Sequence, residues 1–315
     1  MSSVKPYRVK SITEAHRLRG LPKPEHPLIS VINEPIVDLP DDMPKSFATD
    51  LYSIVLKSNA GSHFKIKYGQ QDYDFDEGVM SFMSPGQVFG LEPGPHKNMV
   101  DVQQVKPKPG EWVLLIHPDF LWNTSLAGKI RQYEFFNYLV NEALFLSEKE
   151  ENLIIGILEN IRQEYRSRID KFTEEIIITQ IESLLAYAER FYTRQFITRK
   201  ITNHQLLNRL EQSLIAYFNG DDLSKKGFPT VKFVSNQLNV SPNYLSGLLK
   251  VLTGRSTQQH IQDKIIEMAK EKLSISDLSI SEIAYELGFG YPQSFIKLFK
   301  TKTHQTPLEY RQSFN

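Results

Sequence analysis

The sequence predicts an α+β protein, with an N-terminal antiparallel β-barrel followed by helices, and an all-α C-terminal domain of two helix-turn-helix units joined by a long helix. Three observations carry this reading. From Leu28 to Ile116, short β-branched and aromatic runs alternate with glycine- and proline-containing turns. From Asp119 to Phe228 proline is absent and apolar residues recur three and four apart. Near the C-terminus, Val240 to Lys250 and Phe289 to Lys300 repeat one pattern. In it Pro242 pairs with Pro292, Leu245 with Phe295, Leu248 with Leu298, Leu249 with Phe299, Lys250 with Lys300 and Thr253 with Thr303.

Composition bounds the function classes. A chain of 315 residues with 40% hydrophobic content is long enough for about two domains with buried cores. The lack of cysteine excludes disulfides and thiolate zinc sites. The first residues lack a signal-peptide core, and no run approaches the roughly 18 apolar residues of a membrane span. A soluble cytoplasmic protein without a membrane partner is therefore expected. Net charge is zero overall, but residues 201–315 carry 13 Lys and Arg against 10 Asp and Glu, a balance of +3. That bias directs the C-terminal half towards nucleic acid.

The first two dozen residues read as an arm or a first strand. Strands are expected at Leu28 to Ile32, Leu51 to Leu56, His63 to Tyr68, Val79 to Met83 and Trp112 to Ile116. Tyr52, Phe64, Ile66, Phe82, Phe89 and Trp112 would line the barrel. There they either enclose an apolar or aromatic small-molecule effector or fill the core. Helices are expected over Tyr133 to Leu146, Glu148 to Arg166 and Phe172 to Phe191. In the last, Ile177, Ile181, Leu184, Leu185 and Ala188 form a stripe that is either a core face or the seam of a homodimer. These boundaries make 1–192 one domain, 193–205 a charged linker and 206–315 a second domain.

The C-terminal helices carry legible punctuation. Leu207, Leu210, Leu214, Tyr217 and Phe218 face one helix inward, and Asn219-Gly220 stops it. Val231 to Leu238 follows, then a helix capped by Ser241 and opened by Pro242, with Leu245, Leu248, Leu249 and Leu252 inward and Gly254 at its end. Ser256 with Gln259, Ser279 with Glu282 and Thr306 with Glu309 are capping-box patterns that start three more helices. Pro292 starts another, whose inward residues are Phe295, Leu298 and Phe299. Seven helices are thus expected, arranged as two helix-turn-helix units.

In such a unit the first helix braces the second, whose outer face enters the major groove. The outward residues here are Asn243, Ser246, Gly247 and Lys250 in the first unit, and Gln293, Ile296, Lys297 and Lys300 in the second. Asn and Gln can pair with adenine, Lys can donate to guanine, and Ile can lie against a thymine methyl. Asn243, Ser246, Gln293, Ile296 and Lys297 are therefore the candidate base readers. Lys250, Lys300, Lys302 and Arg311 are the candidate phosphate ligands. Double-stranded DNA is the expected partner.

Ile283 to Phe289, Ser294 to Lys300 and Thr306 to Arg311 closely resemble the second helix-turn-helix signature of the AraC/XylS family of bacterial transcription regulators. Ser241 to Leu245, with Lys250 and Thr253-Gly254, resembles the first. The resemblance covers about a third of the chain. It implies two reading helices in successive major grooves, roughly 34 Å apart, and a sensory or dimerising N-terminal domain, often a cupin-like barrel. It also implies activation through RNA polymerase. Two residues depart from the family pattern. Gly247 replaces a long polar residue at a base-contacting place, which leaves specificity to Gln293 and Lys297. His304 replaces the glycine that ends the second reading helix, and a left-handed cap there costs a non-glycine residue about 1 kcal/mol. A different turn geometry is expected at that position.

Two alternatives stand beside the regulator: a partner-binding protein whose helix-turn-helix pair no longer reads DNA, and an enzyme with an appended DNA module. Against the enzyme, His63, His96 and His117 do not form the close histidine pair with a following carboxylate that metal-binding cupins use. Phe89 occupies the place of a ligand histidine. No nucleophile motif or phosphate-binding glycine loop occurs, so neither catalysis nor a cofactor or metal is expected.

Overall fold

The computed structural model describes residues 6–33, 46–57, 66–68, 71–73, 78–90, 111–139, 142–167, 170–220 and 223–313. The chain divides into two compact units, Met1–Gln195 and Phe196–Asn315.

In the first unit ten strands are described: β1 (Tyr7–Val9), β2 (Ile29–Ile32), β3 (Ser46–Thr49), β4 (Tyr52–Lys57), β5 (Ile66–Tyr68), β6 (Gln71–Tyr73), β7 (Gly78–Met83), β8 (Val88–Gly90), β9 (Glu111–Ile116) and β10 (Leu144–Leu146). They form an antiparallel five-stranded sheet in the order β10-β7-β4-β9-β2, a three-stranded sheet β1-β3-β8 and the hairpin β5-β6. β1 runs parallel to β3. No sheet closes on itself among the described residues, so the expected closed barrel is replaced here by open sheets.

The free edges of the large sheet are satisfied by helix side chains, which is the physical alternative to closure. On β2, Val31 N–H donates to the Tyr165 hydroxyl oxygen at 3.0 Å. On β10, Phe145 N–H donates to Gln195 Oε1 at 2.8 Å, and Arg194 Nη2 donates to the Phe145 carbonyl at 2.6 Å. Tyr165 belongs to α3 (Glu148–Arg166), and Arg194 and Gln195 belong to α4 (Thr173–Thr198). Two shorter helices precede these, α1 (Ile12–Leu18) and α2 (Leu126–Lys129).

Strand register decides which residues share a face. Ile54 pairs with Phe82 and Leu114, and Leu56 pairs with Met80 and Trp112. Tyr52, Phe82 and Trp112 therefore point to one side. That side is covered by Phe136, whose ring centroid lies 5.4 Å from that of Tyr52 and 5.5 Å from that of Phe82, and by Arg162 of α3, 5.0 Å from the Trp112 centroid. The opposite side, with Ile32, Val55, Val113 and Leu115, packs with Val9 and Phe47 of the smaller sheet and with Ile12 of α1. The expected effector-pocket residues Tyr52, Phe82 and Trp112 thus face helices rather than the space between sheets, and all three are buried. Phe64, and the side chains of Ile66 and Phe89, lie outside the described residues.

Two expectations change in this unit, and one alternative gains support. The described residues of the segment Tyr133 to Leu146 do not form the expected helix; they make a 3-10 turn at Glu134–Asn137 and the edge strand β10, because pairing with β7 satisfies the strand's backbone. The α1 helix was not expected, although Ser11 and Glu14 spell an N-cap pattern and the Ser11 hydroxyl accepts the Glu14 N–H at 3.2 Å. Ile177, Ile181, Leu184 and Leu185 are each 0% exposed within the single chain. This enclosure is what the core-face alternative for the stripe expects.

The second unit continues with α5 (Lys200–Phe218), α6 (Leu223–Lys226), α7 (Val231–Leu238), α8 (Pro242–Thr253), α9 (Thr257–Ile275), α10 (Ile280–Glu286), α11 (Pro292–Thr303) and α12 (Pro307–Gln312). The seven anticipated helices are present, together with the short α6. Residues 193–205, read as a linker, are helical except at Arg199, where α4 gives way to α5. One core unites the unit: Leu210, Leu214 and Phe218 from α5, Val234 and Leu238 from α7, Leu245 and Leu249 from α8, Ile261, Ile265 and Leu273 from α9, Ile283 and Leu287 from α10, and Phe295 and Phe299 from α11. All three anticipated capping boxes form, and Ser147 with Glu150 makes a fourth at the start of α3.

Candidate nucleic-acid interface

The two helix-turn-helix units, α7-α8 and α10-α11, use the same backbone turn. In the first, Asn239 N–H donates to the Asn236 carbonyl at 3.1 Å, and Val240 N–H to the Ser235 carbonyl at 3.0 Å. In the second, Gly288 N–H donates to the Tyr285 carbonyl and Phe289 N–H to the Ala284 carbonyl, both at 2.9 Å. This bonding needs a left-handed residue after the first helix. Asn239 supplies it at φ 57° and Gly288 at φ 87°. The two positions differ in crowding: a Cβ on Gly288 would stand 2.9 Å from the Leu223 carbonyl oxygen. Glycine is required there for space as well as for conformation.

His304 ends α11 in the same left-handed state, with φ 63° and ψ 7°, and its N–H donates to the Lys300 carbonyl at 2.9 Å. The different turn expected at that position does not occur. The cap is kept at the cost of a non-glycine residue in αL, about 1–2 kcal/mol, and Gly254 serves the same purpose after α8 at φ 71°.

The outer face of α11 is open. Gln293, Ile296, Lys297 and Lys300 are exposed, and among the described residues neither Lys297 nor Lys300 forms a salt bridge. Lys300 lies close enough to Glu309 to help hold that carboxyl below its usual range, after the larger effect of its hydrogen bonds with the Thr306 backbone and side chain. On α8, Lys250 is exposed, whereas Asn243, Ser246 and Gly247 are half-buried. The Ser246 hydroxyl is turned inward, 3.1 Å from that of fully buried Thr257 at the start of α9. It is therefore engaged in joining α8 to α9, unlike the base reader expected from its position.

Two expected phosphate ligands are also committed elsewhere. Lys302 Nζ lies 2.8 Å from Asp263 Oδ1 on α9. Arg311 is half-buried, and its Nε donates to the Leu273 carbonyl at 3.4 Å in the last turn of α9. Helical spacing placed both cations on accessible turns of their own helices, but α9 packs beneath them and takes the charges. Arg311, at the C-terminus of α9, offsets a carbonyl that lacks a helical partner.

Helix α9 is thus the frame that both readers grip. From the first unit, Thr257 meets Ser246, His260 Nε2 lies 2.9 Å from Thr253 Oγ1, and Asp263 Oδ2 lies 3.0 Å from Arg255 Nη1. From the second, Asp263 takes Lys302 and Lys272 takes Glu286 at 2.7 Å. The Thr253 hydroxyl already donates to the Leu249 carbonyl at 2.7 Å. His260 must therefore supply the proton between them, which fixes its neutral tautomer as Nε2–H. Burial lowers the His260 pKa, with Asp263 opposing and Arg255 reinforcing that shift.

The described residues contain no cluster of three or more His, Cys, Asp or Glu side chains arranged for a metal, and no helix among them is long and apolar enough to cross a membrane.

Comparison with known proteins fits this geometry. A family model described as a helix-turn-helix domain matches residues 234–313, from α7 to the end of α12. The transcriptional regulatory protein YesN of Bacillus subtilis is 35% identical over 94 residues, covering 29% of this chain and 26% of that protein. Histidine kinase P4 of Formosa agariphila is 30% identical over 95 residues, 30% of this chain and 7% of the kinase. The matches therefore span about a quarter or less of these relatives' own length. Among solved structures, the C-terminal domain of the two-component response regulator yesN from Fusobacterium nucleatum is 32% identical, covers 35% of this chain and 97% of that domain, and has a TM-score of 0.29. With two equivalent turns, paired helices that follow them and a shared bracing helix, the C-terminal unit is an AraC-type helix-turn-helix domain.

Proposed function

We propose that the chain is a sequence-specific DNA-binding transcription regulator in which the second helix-turn-helix unit supplies most of the base discrimination. The asymmetry of the two reading helices carries this. α11 exposes Gln293, Ile296 and Lys297, whereas α8 offers Asn243 half-buried, Ser246 engaged with Thr257, and Gly247 without a side chain. Gln293 suits adenine, Lys297 guanine and Ile296 a thymine methyl. Exposed Lys250 and Lys300 suit phosphates, which set register without carrying sequence information. The family resemblance supports an activating role through RNA polymerase, and a small-molecule effector or a dimeric state would act through the N-terminal unit.

The test is binding to DNA upstream of the chain's own and neighbouring genes over a salt series. A steep fall of log K with log salt and a preference over random DNA are expected. A shallow slope with no preference would favour the partner-binding reading instead.

A further inference from the structure

We propose that the N-terminal unit holds a small-oxyanion site beside the outer edge of β2, built on Arg162. This concerns the first unit alone and does not depend on how the second reads DNA. A cavity of about 90 Å³ lies between α3 and the segment that follows α1, and Arg162, Arg166, Lys23, Glu25 and Asn33 all line it.

Arg162 is the unusual member. Its guanidinium carbon lies over Trp112, 5.0 Å from the ring centroid, in cation–π range. Its Nε–H is buried and has no hydrogen-bond acceptor, and no carboxylate among the described residues pairs with it. A buried guanidinium donor without an acceptor is costly, and an oxyanion removes that cost through charge-assisted bonds to the planar fork. Asn33 Oδ1, in the same wall, is likewise buried without a partner, so a hydroxyl on the ligand would find an acceptor there.

The surrounding charge agrees. Arg166 is paired with Glu25 at 2.8 Å and contributes little net field. Among the described residues, neither Arg162 nor Lys23, the other two cations on the cavity, has a carboxylate partner. The wall itself is firm: the Tyr165 hydroxyl is bonded to the Val31 backbone, and His16 uses both ring nitrogens, one with the Pro22 carbonyl at 2.7 Å and one with the Ser30 hydroxyl at 2.8 Å. The chemistry that fits is a compact oxyanion carrying its own hydroxyl. A small hydroxycarboxylate and hydrogenphosphate both meet that description.

Trp112 offers a local readout. The chain has two tryptophans, and Trp122 is exposed, so full-length W122F leaves Trp112 as the sole indole. Its emission would be followed during titration with glycolate, inorganic phosphate and neutral glycolamide at constant ionic strength. A saturable change with at least one anion and none with glycolamide is expected; the anion that acts identifies the site as one for carboxylates or for phosphate. Arg162→Met keeps an apolar stem over the ring and should weaken the midpoint about tenfold or more. Lys23→Gln, an exposed change with no bearing on the core, should weaken it in the same direction. No saturable response to either anion overturns the proposal. So does an unchanged midpoint in Arg162→Met, or in Lys23→Gln should Arg162→Met not fold.

Discussion

Lys302 Nζ and Asp263 Oδ1 lie 2.8 Å apart, and the other carboxylate oxygen of Asp263 takes Arg255 at 3.0 Å. One side chain on the connecting helix thus holds the end of the second reading helix and the residue just after the first. Replacing Asp263 with Asn removes the charge both cations share. Affinity for an operator that engages both grooves should fall, while affinity for a fragment holding one half-site should change little. Equal loss on both fragments in a mobility-shift titration would count against this spacing role.

The same pair separates structural from phosphate-binding cations. Lys302→Met should leave the salt dependence of DNA binding unchanged and cost less than about 1 kcal/mol of stability, because the ion pair is partly solvated. Lys300→Ala should instead reduce the slope of log K against log salt by about one. The slopes from fluorescence anisotropy across a salt series decide it.

Base discrimination should reside on α11. Gln293→Ala or Lys297→Ala should relax sequence preference by roughly 1–3 kcal/mol for each lost base contact. Ser246→Ala should leave preference unaltered but cost about 1 kcal/mol of stability, since it removes the partner of buried Thr257. Competition binding with single-base operator variants would read the first effect and a thermal melt the second.

The left-handed positions should respond in opposite directions. His304→Gly relieves a non-glycine residue at φ 63° and should stabilise the second unit by about 1 kcal/mol. Gly288→Ala adds a Cβ 2.9 Å from the Leu223 carbonyl oxygen on top of the same conformational strain, and should destabilise it by about 2 kcal/mol or more. A melting temperature that rises for Gly288→Ala would refute the close approach.

Stability of the second unit should depend on pH through His260. Its folded pKa lies below the ordinary 6.5 because burial disfavours the charged ring. The unfolded chain therefore binds the proton more tightly. The contribution is fully present above about pH 6.5 and is lost as pH falls through the lower folded value. His260→Gln should flatten that part of the stability curve, measured by denaturant melts between neutral and mildly acidic pH. A further loss is expected at lower pH, where hydrogen bonds with the Ser279 side chain and backbone hold the Glu282 carboxyl below its usual range.

A charge at Leu184 should unfold the first unit rather than split a dimer. The side chain is completely enclosed in the single chain, so Leu184→Asp creates a buried unpaired charge as well as a cavity. The cost is roughly 4 kcal/mol or more. A folded chain by circular dichroism that light scattering shows to be monomeric, against a dimeric parent, would restore the dimer-seam reading.

The helical half was legible almost residue by residue. Ser241, Ser256, Ser279 and Thr306 cap helices with the partners their spacing implied, because a cap is a contact between residues three apart and needs no tertiary information. The strand half was less so. β4 is buried at five successive residues, Tyr52 to Leu56, so alternation could not say which side faced the second sheet and which faced helices. That is why Tyr52 and Trp112 read as one wall of a barrel. The apolar run Ala143 to Leu146 was ambiguous for a related reason: it is too short to distinguish a helix turn from an edge strand, and only β7 beside it settles the choice.

What the sequence by itself determined is therefore local: the caps, the two equivalent turns, the inward faces of the helices and the residue types on α11 suited to base edges. Each depends on interactions within a few residues along the chain, and these survive any arrangement of the rest. Tertiary structure alone decided which outward side chains are free. Lys300 and Lys302 are near neighbours on one helix, yet one is open to solvent and the other is paired with Asp263. The packed partner supplies that difference, because a cation's availability depends on which carboxylate or carbonyl the fold brings within reach of it.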